Sequence, residues 1–537
     1  MKSLSKFYFM SFFLLIGWMN CILMTLIFFN KNFVYLFEFE LLMINSISFN
    51  FIIYLDWMSF MFMFIVMFIS CLIMSYSYVY MGMECHRFLW LTILFIFFMI
   101  MMIMSPSSLG VLLGWDGLGL ISYCLVIYYK SSDAYNSGFI TAATNRLGDS
   151  MLLLSIIWFS MDGLFLFHEV MIGTFFFMLA CMTKSAQFPF CAWLPSAMAA
   201  PTPISSLVHS STLVTAGIYL LIRFYYCFYN SLFLHLLMIS SLLTIFIAGV
   251  SALNEFDMKR VIALSTLGQL GFMTLILCIG YPYIAFFHLL THALFKALLF
   301  MTAGSIIYSG IGIQDMRKMG SLELDNLIKI CMNISLFNLM GMPYSSGFYS
   351  KDSLLELVYS SYPGMSVSTF LFMMITITIA YSVRMVIFLS SFQGWVLFIE
   401  SSIVMTLMIT ILSITNLMLG CFFNWMIQEI DLICLIKIIK ILPFLIIVVG
   451  FCWYGVIFKY MNCFTMTMCY MSSSTKIMSV LIIYFIMIMK LMDQGWLESF
   501  IYKFKGITKF NSFYLKKMCE ITPVFSVGSM LIFMFIF

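Results

Sequence analysis

The stretch Met182–Met198, MTKSAQFPFCAWLPSAM, decides the fold, because it places a cation and two helix breakers in an otherwise apolar region. Lys184 follows the apolar residues 171–182, and Pro189 and Pro195 come soon after it. A proline inside a helix removes a hydrogen bond and clashes with the preceding turn. A charge in hydrocarbon costs about 2.5–3.5 kcal/mol on insertion scales, which makes it a candidate for function. The stretch therefore predicts a membrane helix that is broken next to a buried lysine.

The composition of the whole chain predicts a polytopic membrane protein. Of its 537 residues, 64% are hydrophobic and 9% are charged, whereas an ordinary soluble domain is about 45–50% apolar and about 25% charged. The apolar runs are continuous, as in 60–70 and 91–104, and this favours helices over a β-barrel, whose strands alternate apolar and polar residues. We therefore expect an all-α transmembrane bundle.

The apolar segments predict about fifteen spans, each long enough to cross the hydrocarbon core. The segment that contains Lys184 is interpreted as one helix broken at Pro189. The predicted spans lie near 8–29, 53–75, 87–105, 108–128, 137–160, 164–199, 204–226, 233–253, 258–279, 283–308, 327–348, 367–391, 400–425, 432–458 and 521–537.

Several features exclude other classes of protein. The N-terminal apolar run lacks a small-residue cleavage site, so a retained span is expected rather than a signal peptide. The fifteen cysteines are scattered, without a CxxC pair, and are interpreted as small buried hydrophobes rather than a disulfide or metal framework. The net charge of +4 gives no indication of a nucleic-acid partner. The sequence contains no Gly-rich phosphate loop or haem-attachment motif, so no redox cofactor is expected on this chain.

The C-terminal region is amphipathic, since lysines alternate with apolar and aromatic residues between 476 and 520. Two interpretations are open at this point. The region forms either a long helix that lies along the membrane or partner helices, or two spans joined by a basic loop.

Two acidic residues lie within apolar runs. Asp116 is flanked by Gly114, Gly117 and Gly119, which would let another helix approach closely. Asp116 either makes local hydrogen bonds or pairs with a cation on another helix. Asp149 lies three residues after Arg146, on the same helical face, so the two form either a functional site or a self-neutralising structural pair.

Basic and histidine side chains also lie at membrane depth. Lys184 has no acid near it in sequence, so its partner must come from another helix. His209 is surrounded by hydroxyl residues and is either a satisfied core residue or part of a water chain. His288, His292 and Lys296 follow a four-residue spacing that keeps them on one helical face. This row is typical of a proton relay, although a His–x3–His spacing also allows zinc.

A second broken helix is predicted at GMPYSSGFYSKD, residues 341–352, where Pro343 and Gly347 precede Lys351 and Asp352. Broken helices are tolerated in a bilayer where protein or a water-filled cavity satisfies the free backbone groups. Two such helices, one in each half of the chain, are typical of transporters built from repeats. In contrast, the charged residues of the joints, Asp257, Lys259, Arg260, Arg317 and Lys318, are expected to be solvated.

The segments LLGWDGLGLISYCLVIYY (112–129), NRLGD, TKSAQFPFCAWLPSAMAAPTPISSLVHSSTLVTAGIYLLIRF, AFFHLLTHALFKALLFMTAGSIIY and GMPYSSGFYSKD together resemble the subunit 5 family of respiratory complex I, the mitochondrial NADH:ubiquinone oxidoreductase. The strong likeness runs from about 108 to 355, and DQGWLE at 493–498 resembles the animal version. Region 395–475 resembles the family poorly, so the resemblance implies no functional residue there.

The resemblance implies a domain order around two inverted five-helix repeats, each with a broken helix. The implied segments are N-terminal helices at 1–107, the repeats at 108–226 and 233–391, additional helices at 392–471, a lateral amphipathic helix at 472–518 and an anchoring helix at 519–537. Because related proteins carry the lateral helix, the resemblance favours it over two spans. One N-terminal helix found in many members is expected to be missing.

The resemblance also implies roles for the buried charges, as residues that transfer protons. Asp116 matches the acid, often glutamate, that pairs with the lysine of the first broken helix, here Lys184. Asp149 matches an acid near the subunit boundary, and His209 matches the histidine that leads to the centre. The remaining matches are the central group, Lys296 with His288 and His292, and the distal pair, Lys351 and Asp352.

The resemblance implies a proton-translocating subunit in the mitochondrial inner membrane. NADH, FMN, iron–sulfur clusters and ubiquinone would be used in other subunits, and the expected partners are antiporter-like subunits 4 and 2, accessory subunits and lipids such as cardiolipin. Two alternatives are a self-standing sodium/proton antiporter and a structural scaffold. The scaffold leaves the cost of burying Lys184, Lys296 and Lys351 without a purpose.

Overall fold

The structure is a computed structural model of the chain. It describes residues 2–31, 33–44, 47–82, 85–161, 165–228, 233–319, 326–360, 365–391, 402–427, 437–457, 468 and 487–490. The chain divides into two compact units, Met1–Cys469 and Tyr470–Phe537. Of the second unit, the structure describes residues 487–490, which are helical.

The N-terminal part contains three helices and a β-hairpin, which are α1 (Lys2–Lys31), β1 (Tyr35–Ile44), β2 (Ile47–Leu55), α2 (Trp57–Met81) and α3 (Cys85–Met104). The strands are antiparallel, with Tyr35 opposite Leu55 and an irregular register between Glu40 and Leu42. Hydropathy did not predict this hairpin, because its residues are apolar on average. The two-residue spacing of Glu38 and Glu40 is the strand signal that averaging hides.

Helix α2 begins at a capping box. Asp56 accepts a hydrogen bond from the backbone N–H of Ser59, and the Ser59 hydroxyl lies 3.0 Å from the backbone nitrogen of Asp56. The helix is hydrophobic on all sides, and helices of that kind are buried. It accordingly packs against α1 and α3 and against helices from the second half of the chain.

The first set of central helices follows a short extended segment. Its members are α4 (Ser108–Val126), α5 (Ser132–Ser160), α6 (Met171–Lys184), α7 (Trp193–Ser196), α8 (Thr202–Ile204), α9 (Leu213–Arg223) and α10 (Phe233–Asn254). Short 3-10 turns occupy Ile127–Tyr129, Ala197–Ala199 and Tyr225–Phe228. Between α8 and α9 the chain forms a π-helix at Ser205–Thr212.

The second set contains α11 (Met258–Ile279), α12 (Pro282–Ser309), α13 (Met316–Met319), α14 (Asn326–Met340), α15 (Ser346–Ser360), α16 (Met365–Ser391), α17 (Ile403–Ile427) and α18 (Lys437–Ile457). Helix α12 is the centre of the bundle, because its apolar span is entirely buried. It packs against α2, α11, α14, α15, α17 and the π-helix.

The prediction of a transmembrane helical bundle is confirmed, with the hairpin as an addition to it. Within the described residues, ten helices are long and apolar enough to cross a membrane, against about fifteen predicted from hydropathy. Three further apolar helices are shorter, at Met171–Lys184, Asn326–Met340 and Ile441–Cys452. The predicted final span at 521–537 lies outside the described residues, and so does the lateral helix at 472–518 apart from residues 487–490.

Candidate functional site

Lys184 is the last residue of α6 and is 1% exposed. Its Nζ atom donates a hydrogen bond to the backbone carbonyl of Trp115 on α4, at 3.2 Å. The same atom lies 4.9 Å from the centroid of the Trp115 ring, within the range of a cation–π contact. Gly119 gives the ammonium its space, since a Cβ atom there would lie 3.4 Å from Nζ. The lysine head group is therefore held by one residue of α4.

Asp149, on α5, is held by the same tryptophan. The indole Nε1 of Trp115 donates to Oδ1 of Asp149 at 2.8 Å. The other carboxylate oxygen, Oδ2, lies 3.3 Å from Nη1 of Arg146. Asp149 is 8% exposed, whereas the Arg146 side chain is 57% exposed. The structure thus contains the pair that the spacing suggested, and it adds a buried donor that the spacing did not predict.

Asp116 is half buried and makes no direct ion pair with Lys184 among the described residues. Asp149 and Asp116 carry the negative charges that interact with Lys184 over a longer distance. The expected pairing of Asp116 with Lys184 is therefore a longer-range interaction in this structure. A shorter side chain than glutamate, on the residue next to Trp115, is consistent with this greater distance.

The first helix break begins directly after Lys184, before the two prolines. Residues 185–192 are irregular, and Ala186 adopts a positive φ of 54°. The Phe188–Pro189 peptide bond is cis. The predicted break at Pro189 agrees with the structure, since Pro189 lies within residues 185–192, although helix α6 already ends at Lys184. The apolar helix also begins at Met171 rather than near 164.

Two neighbouring elements contact the first helix break. The indole Nε1 of Trp193 donates to the carbonyl of Thr183 at 3.1 Å. Gly217 of α9 lies against the break, and a Cβ atom there would approach the Cys181 carbonyl oxygen to 2.7 Å and Lys184 Cβ to 3.3 Å. The Trp193 hydrogen bond satisfies the Thr183 carbonyl at the end of the helix, as a broken helix in a membrane requires, and Gly217 lets α9 approach the break closely.

His209 lies in the π-helix and is 1% exposed. Neither of its ring nitrogens has a hydrogen-bond partner among the described residues, and its ring lies 6.1 Å from that of Trp193. The surrounding hydroxyls bond to backbone carbonyls of their own segment instead, as Ser211 does to Leu207 at 2.9 Å. The π-helix widens the backbone where this histidine sits, and π-bulges are frequent at functional sites.

His288, His292 and Lys296 lie along α12 and are fully buried. Nδ1 of His288 lies 2.9 Å from Ser350 Oγ, and its Nε2 lies 3.1 Å from Gln269 Oε1. Since an amide oxygen can only accept, Nε2 carries the proton of the neutral ring.

The other two members of the row differ in their partners. His292 has no hydrogen-bond partner among the described residues, and its ring lies 6.4 Å from that of His288. Lys296 donates to the Ser265 hydroxyl. Within the described part of the chain, no group of three or more His, Cys, Asp or Glu side chains is arranged to hold a metal ion.

The second helix break lies between α14 and α15. Pro343 lies inside the break, whereas Gly347 belongs to the first turn of α15, where a Cβ atom would collide with the Asn338 carbonyl. Lys351 is 6% exposed and donates to the carbonyl of Leu339 in the last turn of α14. A cation at that end of a helix is favoured by the helix dipole. Asp352 is half buried on the same helix.

Helix α17 contributes to the second break, although it lies in a region for which the resemblance implied no site residue. The Ser346 hydroxyl, at the start of α15, donates to Oδ1 of Asn416 at 2.9 Å. Gly420 lets the two helices touch, since a Cβ atom there would lie 2.5 Å from Ser346 Cα. Asn338 and Asn416 are both fully buried.

The part of the chain that contains the two broken helices matches a known membrane family. A family model described as "NADH:quinone oxidoreductase/Mrp antiporter, TM" matches residues 105–379, and one described as "NADH-Ubiquinone oxidoreductase (complex I), chain 5 N-terminus" matches 41–89. NADH-ubiquinone oxidoreductase chain 5 of Anopheles gambiae is 43% identical over 451 residues, which are 80% of this chain and 78% of that protein. The chain belongs to the NADH-ubiquinone oxidoreductase chain 5 family.

Another member of the family is also similar to this chain, and two solved structures share its fold. Chain 5 of Locusta migratoria is 51% identical over 294 residues, which are 53% of this chain and 51% of that protein. A chain of the Mrp complex from Dietzia sp. DQ12-45-1b has a TM-score of 0.76 and 21% identity, covering 91% of this chain and 58% of that chain. The archaeal membrane-bound sulfane sulfur reductase has a TM-score of 0.64 and 21% identity, covering 75% and 85%. At such identities the structures show the fold, which is that of a multi-pass membrane protein.

The exposure of one charged residue between the helices, Lys259, differs from the prediction. Lys259 is 4% exposed and donates to the Ala200 carbonyl at 3.2 Å, so the expectation that it is solvated was wrong. The long side chain reaches inward from the first turn of α11, which hydropathy alone does not indicate. Arg260 and Arg317 are exposed, as expected, and pair with Asp257 at 3.4 Å and Asp315 at 2.7 Å.

The sequence interpretation missed two arginines, of which Arg223 is half-buried and Arg384 is buried. Arg223, at the end of α9, pairs with Asp56 at 2.5 Å and lies 4.5 Å from the Tyr54 ring centroid. Arg384 of α16 is 1% exposed and donates to the carbonyls of Ala252, Leu253 and Glu255, at the end of α10. Their partners are far away in sequence, so no local pattern indicates them.

Proposed function

We propose that the chain is a proton-translocating membrane subunit of respiratory complex I, which couples electron transfer from NADH to ubiquinone to proton movement. Its membership of the chain 5 family supports this function. The observation that carries the proposal is the burial of three lysines, Lys184, Lys296 and Lys351, without direct ion pairs among the described residues. A lysine buried without an ion pair can exchange its proton, because burial disfavours the charged form of the amine.

Lys184 is the proposed proton holder of the first half. Trp115 holds its head group through a carbonyl, which accepts hydrogen bonds from charged and neutral amines alike. Asp149 and Asp116 supply the negative charge that favours the ammonium. A change in either acid would therefore alter the proton affinity of Lys184, and His209 is proposed as the next acceptor towards the centre.

The second half is proposed to continue the path. His292 and His288 would accept and release protons beside Lys296, because their buried ring nitrogens can both donate and accept. Contact of His288 with Ser350 places the row next to the second break, whose Lys351 is the following proposed holder. Asp352 would act with Lys351 as the distal pair.

The wider organisation is proposed by analogy with the family. The two repeats would span 108–226 and 233–391, preceded by helices in 1–107 and followed by helices in 392–471, a lateral helix at 472–518 and an anchor at 519–537. The chain would bind no redox cofactor itself, since NADH, FMN, iron–sulfur clusters and ubiquinone would be used in other subunits.

The partners and location follow from the same membership. Other complex I subunits are the partners of this chain, and we propose antiporter-like subunits 4 and 2 as its neighbours along the lateral helix, with accessory subunits and lipids such as cardiolipin. The proposed location is the inner mitochondrial membrane.

Native purification tests the proposed function against a self-standing sodium/proton antiporter and a scaffold. The chain should copurify with flavin and iron–sulfur proteins, and the preparation should couple NADH–quinone activity to proton uptake by proteoliposomes. A chain that purifies without flavin proteins and exchanges sodium for protons would establish the antiporter instead. A scaffold would keep its normal ratio of protons to electrons after the substitution Lys184→Met.

A further inference from the structure

We propose that Trp115 is a positioning residue that joins Lys184 to the Asp149–Arg146 pair, so that a change at the pair reaches the lysine through one residue. This inference rests on the proposed proton-translocating function. It adds a residue to that function whose two ends contact two of the charged groups. The role is positional, because an indole neither gains nor loses a proton in the course of such a transfer.

The contacts of Trp115 span three helices. From α4, its indole N–H reaches the carboxylate of Asp149 on α5 at 2.8 Å, and its carbonyl accepts from Lys184 on α6 at 3.2 Å. The ring face completes the contact, with Nζ 4.9 Å from its centroid. Trp115 is 1% exposed, so neither hydrogen bond competes with bulk solvent. The indole N–H and the ring face thus contact Asp149 and Lys184 at once, and the backbone carbonyl of the same residue accepts from Lys184.

The backbone around Trp115 is packed tightly enough to transmit a displacement. Gly114 lies against α3, where a Cβ atom would approach the Met102 backbone nitrogen to 2.9 Å. Gly117 lies against the Phe98 ring in the same way. Because these glycines seat the α4 backbone on α3, a displacement of the indole turns the Trp115 ring over Lys184 Nζ rather than moving the whole helix.

The carboxylate that holds the indole has an exposed partner. Oδ2 of Asp149 faces Arg146 at 3.3 Å, and the Arg146 side chain is 57% exposed. An event at the surface of this chain that draws Arg146 away would leave Asp149 with the indole as its remaining donor from the described residues. The contacts from Arg146 through Asp149 and Trp115 to Lys184 are continuous, and a physical link between separated charges requires such continuity.

The substitution Trp115→Phe tests this role, because it removes the indole N–H and keeps an aromatic face and the backbone carbonyl. In the assembled complex, reconstituted in proteoliposomes, we expect the proton-pumping rate to fall about tenfold, as for loss of a hydrogen bond to a charged group. Trp18→Phe is the matched control. Trp18 packs against Phe64 and Phe68, and its indole nitrogen is buried without a partner among the described residues.

Two further readouts separate positioning from packing. When Trp115→Phe is added to Asp149→Leu, the pumping rate should fall by less than about twofold relative to Asp149→Leu alone. The reason is that the effects of residues that act through one contact are not additive. If the Asp149→Leu complex does not assemble, Asp149→Ala replaces it, because it also removes the acceptor of the indole N–H. The pH–rate profile of Trp115→Phe should also differ from that of Trp18→Phe, since a titrating carboxylate has lost a donor.

The outcomes are distinguishable from failure of the proposed function. All rates are normalised to the amount of assembled complex on native gels. If Lys184→Met abolishes pumping but Trp115→Phe behaves like Trp18→Phe, or its loss adds fully to that of the second variant, the role of Trp115 is overturned and the proposed function stands. If Lys184→Met pumps normally, the proposed function itself is overturned.

Discussion

Nζ of Lys184 lies 3.2 Å from the backbone carbonyl oxygen of Trp115, and this contact defines the first half of the candidate site. A carboxylate in that position would favour the charged lysine strongly, whereas a carbonyl accepts from either protonation state. The head group can therefore stay in place while its proton leaves. The acids that act on it, Asp149 and Asp116, do so without a direct ion pair among the described residues.

Gly217 is predicted to be essential for the geometry of the first break. In Gly217→Ala, the new methyl group would lie 2.7 Å from the Cys181 carbonyl oxygen and 3.3 Å from Lys184 Cβ. Overpacking of this kind costs about 1–3 kcal/mol. We expect a lower midpoint of thermal inactivation for the purified complex and slower pumping.

Gly268→Ala is the control for Gly217→Ala. Gly268 is also in a buried helix, but the nearest atom to its added Cβ is Ala248 Cβ at 3.7 Å, which is an ordinary contact. Alanine favours a helix by up to about 1 kcal/mol over glycine. This variant should be neutral or slightly stabilised, and equal losses in both variants would contradict the close approach at Gly217.

The Arg223–Asp56 pair is predicted to stabilise the junction between α9 and the start of α2. The two side chains are 15% and 9% exposed, and their atoms are 2.5 Å apart. Arg223→Leu would leave the Asp56 carboxylate buried without its cation, which costs about 3–5 kcal/mol. The midpoint of thermal inactivation should fall markedly.

The matched control for Arg223→Leu is Arg260→Leu. The Arg260–Asp257 pair is 54% and 38% exposed, at 3.4 Å, and exposed pairs contribute below about 1 kcal/mol. A thermal shift in Arg260→Leu as large as that in Arg223→Leu would show that burial does not determine the contribution of these pairs.

The Asp315–Arg317 contact gives a prediction about pH. Hydrogen bonds from Arg317 hold the pKa of the Asp315 carboxyl below its ordinary value of 3.8. A lowered folded-state pKa stabilises the fold above the unfolded-state value, and this contribution is lost as the pH falls through the lowered pKa. The effect of Asp315→Asn on thermal inactivation should therefore be constant from about pH 5 to about pH 8.

The size of the Asp315 effect is expected to be small. The Arg317 side chain is 57% exposed, so the pair should contribute below about 1 kcal/mol. Measurements of the inactivation midpoint across that pH range, for the unsubstituted complex and Asp315→Asn, check the prediction. An effect that changes steeply near neutral pH would contradict the ionised state of Asp315.

Local patterns in the sequence were sufficient to predict the parts of the site that lie within one helix. The four-residue spacing of His288, His292 and Lys296 places them along α12, and the proline at 343 lies in the second break. Long-range contacts were not predictable in this way. Trp115 meets Asp149 and Lys184 through tertiary packing, and Lys259 becomes buried because its side chain reaches the Ala200 carbonyl on another element.

Hydropathy also fails where two periodicities compete. Residues 35–55 are apolar on average, so their two-residue alternation was overlooked and the hairpin was missed. At the first break, prolines marked the region correctly but not the end of the helix. The irregular segment begins at Ser185, where the chain turns through Ala186 with a positive φ.

The most direct test of the central claim is the number of protons moved per electron by an assembled complex that carries Lys184→Met. The matched control is Lys318→Met, because Lys318 is exposed in the joint before α14. The account predicts a reduced ratio of protons to electrons for Lys184→Met and an unchanged ratio for Lys318→Met, at equal amounts of assembled complex. A normal ratio in assembled Lys184→Met would contradict the claim that Lys184 carries protons.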